Sequence, residues 1–114
     1  MIDNKTKNSI INFIRLSFRY STQCQDILKL SVHPTIKGVR GGKRYQCNKC
    51  KGGFTLGEIQ IDHIETVVPK NIKQKDMTIQ EFAERLYCEI SNLQVLCKDC
   101  HKTKTNEERK SRSQ

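Results

Sequence analysis

The chain has 114 residues, enough for one domain and too few for two ordinary ones. Hydrophobic residues make up 35% and Trp is absent, so apolar burial alone leaves a marginal fold that needs some further staple. The formal net charge of +9 favours polyanionic partners, and the polar opening Met1–Asn8, with no long apolar run after it, argues against a secreted disulfide scaffold, a membrane span or a membrane partner. The expected setting is therefore the reducing cytoplasm.

Along the chain, Asp3 to roughly Leu30 carries apolar residues at helical spacing. Ile10, Phe13, Ile14 and Ser17 fall on one face, with Leu16, Arg19 and Tyr20 turning off it. A second short helix is expected around Thr22 to Leu30, with Thr22 as N-cap. His33-Pro34 ends it, because the residue before proline disfavours the helical region. Val39 to Gly42 reads as a loop, and Tyr45-Gln46 leads into Cys47-Asn48-Lys49-Cys50 and then Gly52-Gly53. Glu58 to Ile64 alternates polar and apolar residues, the pattern of a half-buried strand. A polar connection containing Pro69 follows. Thr78-Ile79-Gln80-Glu81 is a capping box that opens a helix whose buried stripe is Ile79, Phe82, Ala83, Leu86, Tyr87 and Ile90. Asn92 to Leu96 reads as a second short strand, and Cys97-Lys98-Asp99-Cys100-His101 turns into a final helix running towards Arg109.

Six cysteines are present, and four of them form two Cys-x-x-Cys pairs, Cys47 with Cys50 and Cys97 with Cys100. Two intervening residues let both thiolates of a pair reach one tetrahedral ion, and two pairs complete a shell with no open position. Such an ion is structural. Zinc is the expected metal, with iron or an iron–sulfur cluster and a redox pair as competing readings of the same ligands. Forty-six residues separate Cys50 from Cys97, so the ion ties the two ends of a domain together and offsets the small core. Cys24 and Cys88 belong to no pair and read as small buried apolar residues, Cys88 within the capped helix. His33 receives no role.

Three segments together resemble the HNH endonuclease motif in its zinc-containing form: Ile61-Asp62-His63-Ile64, Asn92-Leu93-Gln94-Val95-Leu96-Cys97, and Cys100-His101-Lys102-Thr103-Lys104-Thr105. The wording is especially similar to small phage-encoded members, and the resemblance covers about residues 45 to 108. It implies an α+β fold: a small zinc-stapled ββα-metal domain with N-terminal helices and a helical insertion between the two motif strands. The expected organisation is a helical segment over 1–36, the nuclease domain over 37–108 and a basic tail over 109–114.

By the same resemblance, His63 is the general base, Asp62 and His101 hold one divalent ion (Mg²⁺, alternatively Mn²⁺ or Ni²⁺), and Asn92 holds the loop between the strands. The substrate is DNA, cut to leave 5′-phosphate and 3′-hydroxyl ends, and phage packaging or replication proteins in a bacterial host cell are candidate partners. Independent chemistry agrees with those roles, since a phosphodiester is already anionic and its cleavage needs both charge neutralisation and a base for the attacking water. Arg40, Lys43, Arg44 and Lys104 are the candidate phosphate contacts, which position DNA without reading its sequence.

Several competing readings stand beside these. His63 and His101 could be ordinary satisfied histidines, or His101 a zinc ligand. Asn92 could be a turn residue, and the whole domain could be a non-catalytic zinc-ribbon-like nucleic-acid binder or an adaptor. Finally, side chains alternate along a strand, so Asp62 and His63 should point to opposite faces unless the strand bulges or ends there.

Overall fold

The structure, a computed structural model, describes residues 2–112. Asp3 opens the first helix, α1 (Asn4–Phe18), by accepting a hydrogen bond from the Thr6 backbone N–H at 2.7 Å. The buried face of α1 is that of Ile11 and Phe18, with Ile14 packed beside them, and not the expected face of Ile10, Phe13 and Ser17. Phe13 is 73% exposed. Four apolar residues within Ile10–Ile14 allow either of two adjacent faces, and the one chosen is the one that packs on α3. The second helix, α2 (Thr22–Leu30), lies where expected, but its cap is Ser21, not Thr22. Ser21 has the extended backbone a cap requires, and its hydroxyl accepts from the Cys24 N–H at 3.2 Å.

Two small antiparallel sheets follow. The first is a hairpin of β1 (Tyr45–Gln46) and β2 (Gly53–Phe54), whose two-residue strands carry too little alternation to be read from sequence. The second pairs β3 (Ile59–His63) with β4 (Leu93–Cys97), in a register that sets Asp62 opposite Gln94 and His63 opposite Leu93.

The excursion between β3 and β4 carries the third helix, α3 (Ile79–Leu86). Its capping box is complete: Thr78 Oγ1 accepts from the Glu81 N–H at 3.0 Å, and Glu81 Oε1 accepts from the Thr78 N–H at 3.3 Å. The helix stops at Leu86, so Cys88 lies beyond it and is half-buried, not a helical core residue. Tyr87 and Ile90 still pack on the core from outside the helix. Arg85 reaches back to the carbonyls of Thr66 and Val67 at 2.8 and 2.6 Å, pinning the start of the excursion to the helix. The last helix, α4 (Lys98–Arg112), continues through the first part of the expected basic tail, while Ser113 and Gln114 lie outside the described residues.

The result is an α+β fold with N-terminal helices and a helical insertion between the two longer strands. Its main core joins α1, α2 and α3 to one face of the β3–β4 pair, with Ile11 and Phe82 wholly buried. Among the described residues no helix is long and apolar enough to cross a membrane. Phe82 lies where α1, α3 and the strand pair meet, and the Arg15 guanidinium covers its ring at 5.0 Å from the centroid. Phe82→Ala is expected to destabilise the fold by about 3–5 kcal/mol, read as a lowered urea midpoint in equilibrium unfolding.

Candidate metal centres

The sulfur atoms of Cys47, Cys50, Cys97 and Cys100 all lie within 4.8 Å of one another, and Cys50 and Cys97 are 4.0 Å apart. Tetrahedral zinc with Zn–S bonds of about 2.3 Å places its sulfurs about 3.8 Å apart, so this donor set fits the ion closely. The first pair sits in the β1–β2 turn. There Lys51 takes a left-handed backbone (φ 65°) and its N–H closes the knuckle on the Cys47 carbonyl at 2.9 Å. A Cβ at Gly53 would meet the Ile36 side chain at 2.7 Å, which reserves that position for glycine. The second pair joins the end of β4 to the first turn of α4, where the Cys100 N–H points at the Cys97 sulfur at 3.5 Å.

His33, which the sequence left without a role, fastens this knuckle. It is buried; its Nδ1 accepts from the N–H groups of Thr35 and Ile36 at 3.1 and 2.9 Å, which leaves Nε2 as the donor to the Lys51 carbonyl at 3.1 Å. The four thiols do not ionise alike. Burial pushes the Cys47 thiol up, but the backbone N–H groups of Cys50, Cys97 and Lys49, together with the Cys50 thiol, outweigh it and bring Cys47 down to about 6. Cys100 moves the other way, pushed up to about 12 first by the Cys97 thiol and then by burial.

A second cluster lies on the side of β3 that faces α4. The Asp62 carboxylate is well buried, and its two oxygens have different surroundings. Oδ2 accepts from Gln94 Nε2 at 2.8 Å and from the Lys104 ammonium at 2.9 Å, whereas Oδ1 faces His101 Nε2 at 3.8 Å. That separation is too long for a hydrogen bond and wider than the roughly 3.0 Å between adjacent octahedral ligands at about 2.1 Å, so one small cation would draw the two atoms together. Lys104 also donates to Glu108 Oε1 at 2.7 Å and to the His63 carbonyl at 2.9 Å. Burial lowers the basicity of this ammonium, but its bonds to Glu108 and Asp62 outweigh that and raise it, so the charge is held firmly.

His63 ends β3, and its ring goes where alternation sends it, away from the Asp62 carboxylate and towards α1 and α3. It lies 5.2 Å from the Phe18 ring, and Nε2 donates to the Leu86 carbonyl at 2.7 Å. A carbonyl only accepts, so Nε2 carries the proton and Nδ1 of the neutral ring keeps its lone pair. His63 nonetheless borders the same groove of about 270 Å³ as Asp62, His101, Lys104 and Glu108. Immediately after it, Asn92 clamps the chain: its Oδ1 accepts from the Glu65 N–H at 2.8 Å, its Nδ2 donates to the Glu65 carbonyl at 3.3 Å, and its own carbonyl accepts from the Ile64 N–H at 2.8 Å.

Residues 79–107 match the family model of the HNH endonucleases, a stretch running from α3 through β4 and into α4. The chain fits a zinc-containing member of the HNH family. No curated protein and no solved structure matches it. The match takes in Asn92, Cys97, Cys100 and His101 and stops short of β3, so Asp62, His63 and the first cysteine pair join the HNH segment through the folded geometry alone.

The HNH reading from sequence missed Gln94 and Glu108. Gln94 joins the two clusters, because its Oε1 accepts from Asn48 Nδ2 in the first knuckle at 2.8 Å while its Nε2 holds Asp62. The signal was available in the strand register, which sets Gln94 across from Asp62. Of the candidate phosphate contacts, Arg40 and Lys43 are exposed, Arg44 folds onto the Lys43 carbonyl at 3.0 Å, and Lys104 is engaged in the groove.

These thiol shifts set a pH dependence. A thiol held below the ordinary value of 9.0 contributes stability that is fully present above pH 9 and is lost as pH falls through about 6. Zinc binding needs the thiolates, so acidification should release one zinc per chain, followed with a chromophoric chelator, and cooperative unfolding should be lost with it.

Proposed function

We propose that the protein is a metal-dependent DNA endonuclease, in which His63 is the general base, Asp62 and His101 hold one catalytic divalent ion, and the four cysteines hold a structural zinc. The observation that carries this reading is the groove bordered by Asp62, His63, His101, Lys104 and Glu108, in which Asp62 Oδ1 faces His101 Nε2 at 3.8 Å. Mg²⁺, or alternatively Mn²⁺ or Ni²⁺, would supply charge neutralisation at the phosphate and the leaving oxygen.

The chain's own residues do the rest. His63 takes the proton of the attacking water, and to do so its ring turns from the Phe18 and Leu86 side of the strand into the groove. Asn92 stops the segment after His63 from swinging, so the base keeps its aim. Gln94 and Lys104 occupy Oδ2 of Asp62 and leave Oδ1 for the ion. Arg40 and Lys43, exposed on the loop before the first knuckle, are candidate phosphate contacts for the DNA backbone.

A second role, docking to a larger phage packaging or replication assembly, is compatible with cleavage. One observation favours it: Phe13 and Leu16 on α1, and Tyr20 just beyond its end, are left exposed.

Purified protein is expected to nick supercoiled plasmid with Mg²⁺ or Mn²⁺ and to stop when EDTA is added. His63→Ala should lower the rate by at least about a hundredfold while zinc content stays near that of the parent. Equal cutting by His63→Ala would refute the assigned mechanism.

A further inference from the structure

The ammonium of Lys104 sits on the carboxylate that the proposed function assigns to the metal. It touches Asp62 Oδ2 at 2.9 Å and Glu108 Oε1 at 2.7 Å, and it is anchored a third time by the His63 carbonyl at 2.9 Å. Its side chain is only 22% exposed and that of Asp62 only 12%, so solvent screens the pair poorly. Two carboxylates and one ammonium leave the groove with a net charge of −1, where the carboxylates alone would present −2. Any divalent ion held by Asp62 Oδ1 and His101 Nε2 therefore has a fixed positive charge on the other oxygen of its own carboxylate ligand.

We propose that Lys104 is a resident competitor of the catalytic ion, holding divalent affinity low in the free protein so that the metal is retained only when an anionic phosphate enters the groove. Glu108 is its counterpart: it draws part of the lysine charge away from Asp62 and keeps the competition incomplete. The proposal rests on the reading of Asp62 and His101 as the ligands of the divalent ion. It makes metal and DNA binding mutually supportive, since each lowers the electrostatic cost of the other. It also gives the metal-free protein a neutralised Asp62, so that a nearly buried carboxylate is not left without a cation before loading.

The test is Mn²⁺ binding to the full zinc-loaded chain, followed by the electron paramagnetic resonance of free Mn²⁺, in a His63→Ala background so that DNA is not cut. Lys104→Met is expected to tighten Mn²⁺ binding by about tenfold or more in the absence of DNA, and Glu108→Gln to loosen it. A short DNA duplex should tighten Mn²⁺ binding to the parent and do so less in Lys104→Met. A lysine that merely shapes the site would give the opposite sign in Lys104→Met, which would then weaken the metal. Unchanged or weaker Mn²⁺ binding in Lys104→Met, with a melting temperature near the parent's, overturns the proposal. If Lys104→Met lowers the melting temperature, Lys104→Gln, which keeps a polar group without the charge, decides, and unchanged or weaker Mn²⁺ binding there overturns the proposal. Asp62→Asn and His101→Ala separate this from the underlying assignment, because parent-like Mn²⁺ binding in both means that the ligand reading itself is wrong.

Discussion

Four sulfur atoms drawn within 4.8 Å of one another do more to define this molecule than its apolar core. They belong to a hairpin turn early in the chain and to the junction of β4 with α4 late in it, so whatever binds them closes a long loop and fixes where α4 begins. The position of α4 in turn decides whether His101 and Lys104 meet Asp62. Gln94 carries the same constraint sideways, gripping the first knuckle through Asn48 with one end of its amide and Asp62 with the other. The four-cysteine cluster and the candidate catalytic centre are thus linked by one glutamine side chain. This arrangement makes physical sense in a chain too small to position a site by burial alone.

The strand pair solves a second problem. Alternation sends Asp62 and His63 to opposite sides, and the fold accepts this without bending the strand. Asp62 is met by α4 and His63 by α1 and the end of α3. Because His63 is the last residue of β3, both still border one groove. The helical insertion consequently does more than fill the gap between strands, since its final residue supplies the carbonyl that settles the proton on the His63 ring.

The parts legible in the sequence were those written in strong local signals. The Thr78–Glu81 box, the Glu58–Ile64 alternation and the paired cysteines each rest on spacing that one kind of local structure satisfies. What escaped depended on partners far away in the chain. The buried face of α1 was ambiguous among neighbouring apolar residues until α3 selected it, and Ser21 displaced Thr22 as the cap through a backbone angle that composition does not encode. In the candidate site, Asp62, His63 and His101 could be named from their motif. The split surroundings of the two Asp62 oxygens, the engagement of Lys104 and the clamp formed by His33 needed the cross-strand register and the helix packing to become visible.

The excursion between the strands departs and returns through residues bonded to each other, Ile64 and Glu65 on one side and Asn92 on the other. Its exposed stretch from Lys70 to Lys73 begins five residues after Glu65, and Arg85 ties down Thr66 and Val67 between them. Lengthening such a loop costs only about 0.6 kcal/mol per doubling. A foreign segment spliced between Lys70 and Lys73 would therefore add little strain to the strand register, which makes this bend a natural graft point for a reporter or a targeting module.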